Sequence, residues 1–470
     1  MFFRPLMIAL LFGVATWSLN ASGQPPLQSP ADSLPVAAAG SEAPATPTEP
    51  PGATEVDSGV PMTNSDTNVS GNGPQPIGAT PANQVAAPGT AATAEATNGA
   101  AGQELPEGYQ EELMRRVETF GKKREELAKA VGDQRIMHIL YLNYEKRTKA
   151  DRDAYYQKRL EVRRLMDELY LLAVDVLRLG FEKESATYIV TLLQNRFEHC
   201  VYDVQTLEGA ARLMDGGSKL TYVYQIAARS AITSGEFDIA KRVFESINED
   251  QMEDTDKTLQ FYLEKYQASF EREAEIRAKE IEEDRLPRVK IETTQGDVIL
   301  ELFLDQAPTA VSHFIGLVEA GFYDGNDFSQ VVDNLFALSG DPSGTGSGNS
   351  GKYLADEHTR PDARDGFRGS LVMAKVPKGE TGEFIPNTAS SRFAILFLPI
   401  ISISEQQTIF GRVVEGMENV SYLQRVDPFK KKEKGEVQLP PDRILKATVI
   451  RRPEDLPTPI YVDPLQSLGR

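Results

Sequence analysis

The sequence predicts a multidomain chain: an all-α helical-hairpin region first, then an all-β region built mostly from antiparallel strands. Three observations predict it. Residues 107–286 contain no proline and carry apolar residues at helical spacing. From residue 289 onward, short β-rich runs alternate with Gly, Asn, Asp and Pro turns. Among those runs, Val311, Phe314, Ile315 and Val318 mark one helix for the sheet to pack on.

Residues 1–23 read as an export signal. Arg4 supplies the positive start, Leu6 to Leu19 is a mainly apolar run too short for a comfortable membrane span, and Ala21-Ser22-Gly23 offers small residues for cleavage. The alternative is a membrane anchor at residues 5–19. Residues 24–103 are rich in Ala, Pro and Thr, with no aromatic residue, Lys or Arg. Such a segment buries too little apolar surface to offset its ordering entropy, so it reads as a disordered linker, a tether or a plain tail.

Residues 104–286 form the helical region. Leu160, Leu165, Leu169, Leu172 and Val176 make one stripe. Ala227 and Ala231, then Gly235, then Ala240 and Phe244 read as two helices closely packed through small residues, with the glycine at the turn. This unit resembles a tetratricopeptide-type hairpin; a solenoid and a plain bundle both accommodate it. Residues 270–284 carry mostly charges and read as a solvated helix closed by Leu286-Pro287.

The β-rich region follows at 288–452. Residues 289–293 and 297–303 are joined through Gln295-Gly296, a hairpin signal. Asp305 and Pro308 stand at a helix start, and Gly321 closes that helix. Residues 328–332, 335–338, 370–374, 393–397, 409–414 and 445–450 read as strands, and 417–424 as a short helix. The glycine-rich stretch 342–352 is not a phosphate loop, because Gly351-Lys352 is followed by Tyr353 and more loop. Residues 430–434 read as a basic loop, and 453–470 as an extended tail.

A net charge of −19 argues against nucleic-acid binding. One cysteine, Cys200, excludes an intrachain disulfide. His138, His199, His313 and His358 show no metal-ligand spacing, and no cofactor is expected.

Several strings resemble the cyclophilin family of peptidyl-prolyl isomerases: TTQGDVILELF, QAPTAVSHFIGLV, GFYDGNDF, SGDPSGTGSG, RGSLVMAK, NTASSRF and FGRVVEGM, in that order across residues 288–451. The resemblance implies a closed antiparallel barrel with two capping helices and an activity on X-Pro bonds in protein folding. Rotation about such a bond breaks amide resonance, a barrier of roughly 20 kcal/mol. Accelerating it takes an apolar pocket for the ring and polar groups that favour the twisted amide.

Scaffold positions match the family and groove positions depart from it. Gln330 stands where the resemblance implies an arginine, and it carries no charge. Arg392 replaces a glutamine and is the candidate to supply the missing guanidinium. The implied substrate groove is lined by Leu335, Phe336, Leu338, Ala374, Phe393, Ala394, Ile403 and Gln407. Leu335 and Ala394 replace aromatics, Leu338 a glutamine, and Gln407 a histidine. The expectation is an exported isomerase of weak activity; the alternative is a catalytically inactive peptide-binding or scaffold protein. Expected partners are extended or proline-containing segments of exported proteins, and a protein seated on the helical region. Membrane contact is expected only if the leader stays uncleaved.

Overall fold

The computed structural model describes residues 108–143, 148–379, 382–427 and 440–464. The leader, the linker and the basic run 430–434 lie outside the described residues, as does the end of the tail.

Among the described residues, eight α-helices come first: α1 (Tyr109–Asn143), α2 (Lys149–Leu179), α3 (Lys183–Glu198), α4 (Val204–Asp215), α5 (Thr221–Ser234), α6 (Phe237–Ser246), α7 (Asp254–Phe261) and α8 (Leu263–Glu283). Their starts are written locally. Thr148 and Asp151 form a reciprocal capping box on α2, and the Asp203 carboxylate accepts from Thr206 N at 2.7 Å on α4. The α5–α6 hairpin turns at Gly235, whose φ of +82° is left-handed. A Cβ there would collide with the Phe270 ring, so the position also needs glycine for space. Ala227, Ala231 and Ala240 are buried, as close helix packing requires.

The expectation for residues 270–284 is corrected. They belong to α8, which is not solvated all round. Glu273 accepts both Nε and Nη2 of Arg364, at 2.8 and 2.7 Å, and Glu280 accepts Arg364 Nη1 at 2.6 Å and Arg412 Nη1 at 2.8 Å. Arg412 and Arg288 then share Glu301. Glu273 and Glu280 are thus one side of an ion network laid on the sheet, while Glu271, Glu275, Lys279 and Glu282 stay exposed. Phe270 packs edge-on against Phe367 beside it, and Tyr266 donates to Pro399 O.

The sheet has eight antiparallel strands: β1 (Arg288–Thr293), β2 (Gly296–Leu302), β3 (Gln330–Val332), β4 (Phe336–Ser339), β6 (Ser370–Met373), β7 (Phe393–Leu396), β8 (Ile409–Glu415) and β9 (Ile444–Arg451). Their order is β3-β4-β7-β6-β8-β2-β1-β9. The two edges are brought together at the start of β9, where Gly325 N donates to Ile444 O and Ile444 N to Asn326 O, and Asp327 bridges Arg443. Helix α9 (Pro308–Glu319) packs its Phe314 against Phe393, Phe410 and Tyr323 inside the curled sheet. The short α11 (Met417–Ser421) follows β8, and α10 (Ile401–Ser404) precedes it. In the tail, β10 (Tyr461–Val462) pairs with β5 (Tyr353–Leu354).

His313 on α9 lies within 3.2 Å of Tyr461 Oη and 3.3 Å of Ser350 Oγ. Burial, helped by the Lys352 charge, lowers its pKa to about 4. The unfolded imidazole titrates near about 6.5. Between those values only the unfolded chain takes up the proton. His313 therefore favours folding fully above the unfolded value, and that contribution is lost as pH falls, by about 1.4 kcal/mol per unit. His199 and His358 are lowered by burial too and act in the same direction. Urea midpoints at pH 7.5 and pH 5 check this: His313→Gln should flatten the acid loss, and an unchanged slope would contradict it.

Candidate active site

Strand alternation divides the sheet's side chains. Val331, Ala337, Ile395 and Leu371 face the Phe314 core. Phe336, Leu338, Val372, Ala374, Ala394 and Leu396 face the other way and form a second apolar cluster with Ile403 and Ile409. Register places Gln330 opposite Leu338, Leu338 opposite Ala394, and Ala394 opposite Val372. One row across four strands thus gathers three of the sequence-predicted site residues. Leu335 borders the cluster from the β3–β4 turn, and Ile403 reaches it from α10.

Phe393 is the correction. It belongs to the interior, edge-on to Phe314 and Tyr323, because its neighbour Ala394 takes the groove face. It supports the site from behind and lines no part of it.

Arg392 shares a strand face with Ala394, but its Nη1 donates to Gly346 O at 2.5 Å. Gly346 belongs to a loop wound around Asp341, whose carboxylate accepts Ser343 N at 2.7 Å and Ser343 Oγ at 2.6 Å. Burial works against the Arg392 charge and Asp341 offsets part of that. The guanidinium is tied to the glycine-rich loop.

Gln407 is fully buried; its Oε1 accepts Lys375 N at 3.0 Å and its Nε2 has no partner. Gln330 is buried as well, and its Oε1 has no partner. Backbone donors along this margin are already used: Ala374 N binds Arg392 O, and Val376 N binds Thr388 Oγ1. Lys375 Nζ pairs with Asp356 at 2.6 Å and also donates to Gln406 O. An extended peptide adding along an edge needs such groups unpaired.

Sequence reasoning missed one residue here. Phe384 is 6% exposed and sits within the same apolar cluster as Leu338, Ala374 and Ala394. It is carried by an excursion between β6 and β7, where Pro377 bridges Phe384, Lys378 N donates to Glu383 O and Ile385 N to Val376 O. Leu338, Ala394 and Ile403 have no accessible surface, and Phe336 has none. The groove face is thus buried in an apolar cluster that includes Phe384. A depression of about 410 Å³ between α9 and β9, bordered by Val318, Asp324, Lys446 and Thr448, contains none of the expected site residues.

Comparison with known proteins places this region in a family. The family model for "Cyclophilin type peptidyl-prolyl cis-trans isomerase/CLD" matches residues 288–449. Peptidyl-prolyl cis-trans isomerase-like 1 of Neurospora crassa is 32% identical over 170 residues, covering 36% of this chain and 96% of that protein. This chain belongs to the cyclophilin-type peptidyl-prolyl isomerase family. The human protein named peptidyl-prolyl cis-trans isomerase-like 1 is 33% identical over 144 residues, covering 30% of this chain and 81% of that protein. The match to peptidyl-prolyl cis-trans isomerase-like 2 of Gibberella zeae, 37% identical over 140 residues, spans 29% of this chain and only 23% of that protein. A solved Cryptosporidium parvum cyclophilin type isomerase, crystallised in the presence of the dipeptide Ala-Pro, aligns at 28% identity and TM-score 0.29 over 34% of this chain and 98% of its own. The helical region 109–283 lies outside the family-model match.

Proposed function

We propose that this cyclophilin is an exported peptidyl-prolyl isomerase of weak activity. One observation carries the reading: Leu338, Ala374, Ala394 and Ile403, which would hold the proline ring, are buried in one apolar cluster together with Phe384, and only Leu335 of the apolar groove residues is partly exposed. Gln330 adds to it. A neutral amide makes hydrogen bonds roughly half as strong as a guanidinium, so a twisted amide gains little there. The family supplies the reaction class, and these two features set its level. Substrates are extended, proline-containing segments of exported proteins. Export rests on the pattern of residues 1–23, and membrane contact arises only if that segment stays attached. Among the described residues no helix is long and apolar enough to cross a membrane.

A second reading is favoured by the buried ion network and by Phe384 together: a catalytically inactive scaffold whose helical region receives a protein partner. Exchange spectroscopy on a short Ala-Pro peptide separates the two. Acceleration only at near-stoichiometric protein supports the first, and none at any concentration supports the second. Rapid exchange at trace protein overturns both. The intact mass of the same native preparation reports whether the chain starts after Gly23.

A further inference from the structure

The β3–β4 turn carries Asn334, a left-handed residue with φ +63°. Its side chain does not face solvent. Asn334 Oδ1 accepts from Tyr202 Oη at 2.5 Å and from Arg229 Nη1 at 3.3 Å, and its backbone N–H points at Cys200 Sγ, 3.4 Å away. Both neighbours of the amide are donors, so the oxygen must face inward. Tyr202 and Arg229 belong to the helical region. Arg229 is almost wholly buried, held by Asp256 at 2.8 Å and Glu253 at 2.7 Å and stacked 5.0 Å from the Phe197 centroid. Gln225 Nε2 fixes the other oxygen of Asp256. The socket is thus held by ion pairs and hydrogen bonds made within the helical region.

The junction has a second strand-side anchor. Arg425 pairs with Asp333 at 2.5 Å and lies over Phe397, whose backbone N donates to Leu335 O. Arg368 Nη1 joins Phe397 O to Cys200 O. Every residue of the turn 333–335 is therefore held, and the hairpin it closes bears Gln330, Leu335, Phe336 and Leu338.

We propose that Asn334 is a positioning residue: seated in the Tyr202–Arg229 socket, it lets the helical region set the placement of the β3–β4 hairpin and of the groove face on it. The inference rests on that face being the working face. In consequence the helical region is part of the site's support.

The test uses the full chain and a readout that needs no turnover. Asn334→Gly keeps the left-handed turn, because glycine adopts it without strain, and removes the acceptor. Asn334→Asp keeps an acceptor facing Arg229. In proton–nitrogen and methyl NMR spectra, N334G should displace the Gln330 side-chain amide and Leu338 methyl signals by more than a linewidth, and N334D should restore them. Tyr202→Phe should reproduce N334G, and the double variant should add little. If N334G fails to fold, Y202F alone carries the comparison. Groove signals that overlay the wild type in Y202F or N334G, with only socket signals moved, would overturn the proposal. A wild type lacking isomerase activity would leave this result standing, so the two failures are distinguishable.

Discussion

Phe384→Ala is expected to destabilise the protein by about 3–5 kcal/mol and to leave a hollow on the groove face. The ring is buried in the apolar cluster that also holds Leu338, Ala374, Ala394 and Ile403, whose members are anchored on strands and a short helix that cannot collapse fully into a gap. Part of the cost is lost transfer free energy and part is lost dispersion contact with the hollow's walls. Urea unfolding gives the loss. A change below about 1 kcal/mol would mean that Phe384 does not fill this cluster.

Arg364→Met should cost a similar amount, about 3–5 kcal/mol, for a different reason. Arg364 is 1% exposed and stacks 3.9 Å from the Phe303 centroid. Burial alone would raise the Glu273 carboxyl, but the Arg364 hydrogen bonds and charge outweigh it and hold that pKa below the usual value. Removing the guanidinium leaves a buried carboxylate facing a thioether, with only Arg277 beside it. The double variant Arg364→Met/Glu273→Met removes both charges and should regain much of the loss, since well-packed apolar replacements of buried pairs are often neutral. Equal losses in the single and double variants would contradict this account.

Much of this architecture was legible in the chain. The β1–β2 hairpin, Pro308 at the first position of α9 and the alternating strands are local signals; the hairpin turns one residue earlier than expected, at Thr294-Gln295, because Gly296 pairs with Thr293 as the first residue of β2. Gln330, Leu338 and Ala394 were identified from collinear strings, and register aligns them in one row. Phe384 was not legible. Phe384 and Ile385 sit in a run of Gly, Glu, Lys and Pro, where no period of two or 3.6 points to burial. The role of α8 was hidden for the opposite reason. Alternating acids and bases at helical spacing describe a solvated helix and a helix docked by ion pairs equally well, and Arg364 and Arg412 lie far along the chain. Nothing beside Asn334 in the chain points to its contacts, because its socket is built by Tyr202 and Arg229 from another region.

The most direct test is the cis–trans exchange rate of an Ala-Pro peptide, measured beside wild type and beside Gln330→Arg/Phe384→Ala. The account predicts that trace wild type leaves exchange on the uncatalysed scale of about 10–100 s, while the double variant shortens it. Fast exchange with trace wild type, or a folded double variant no better than its parent, would contradict it.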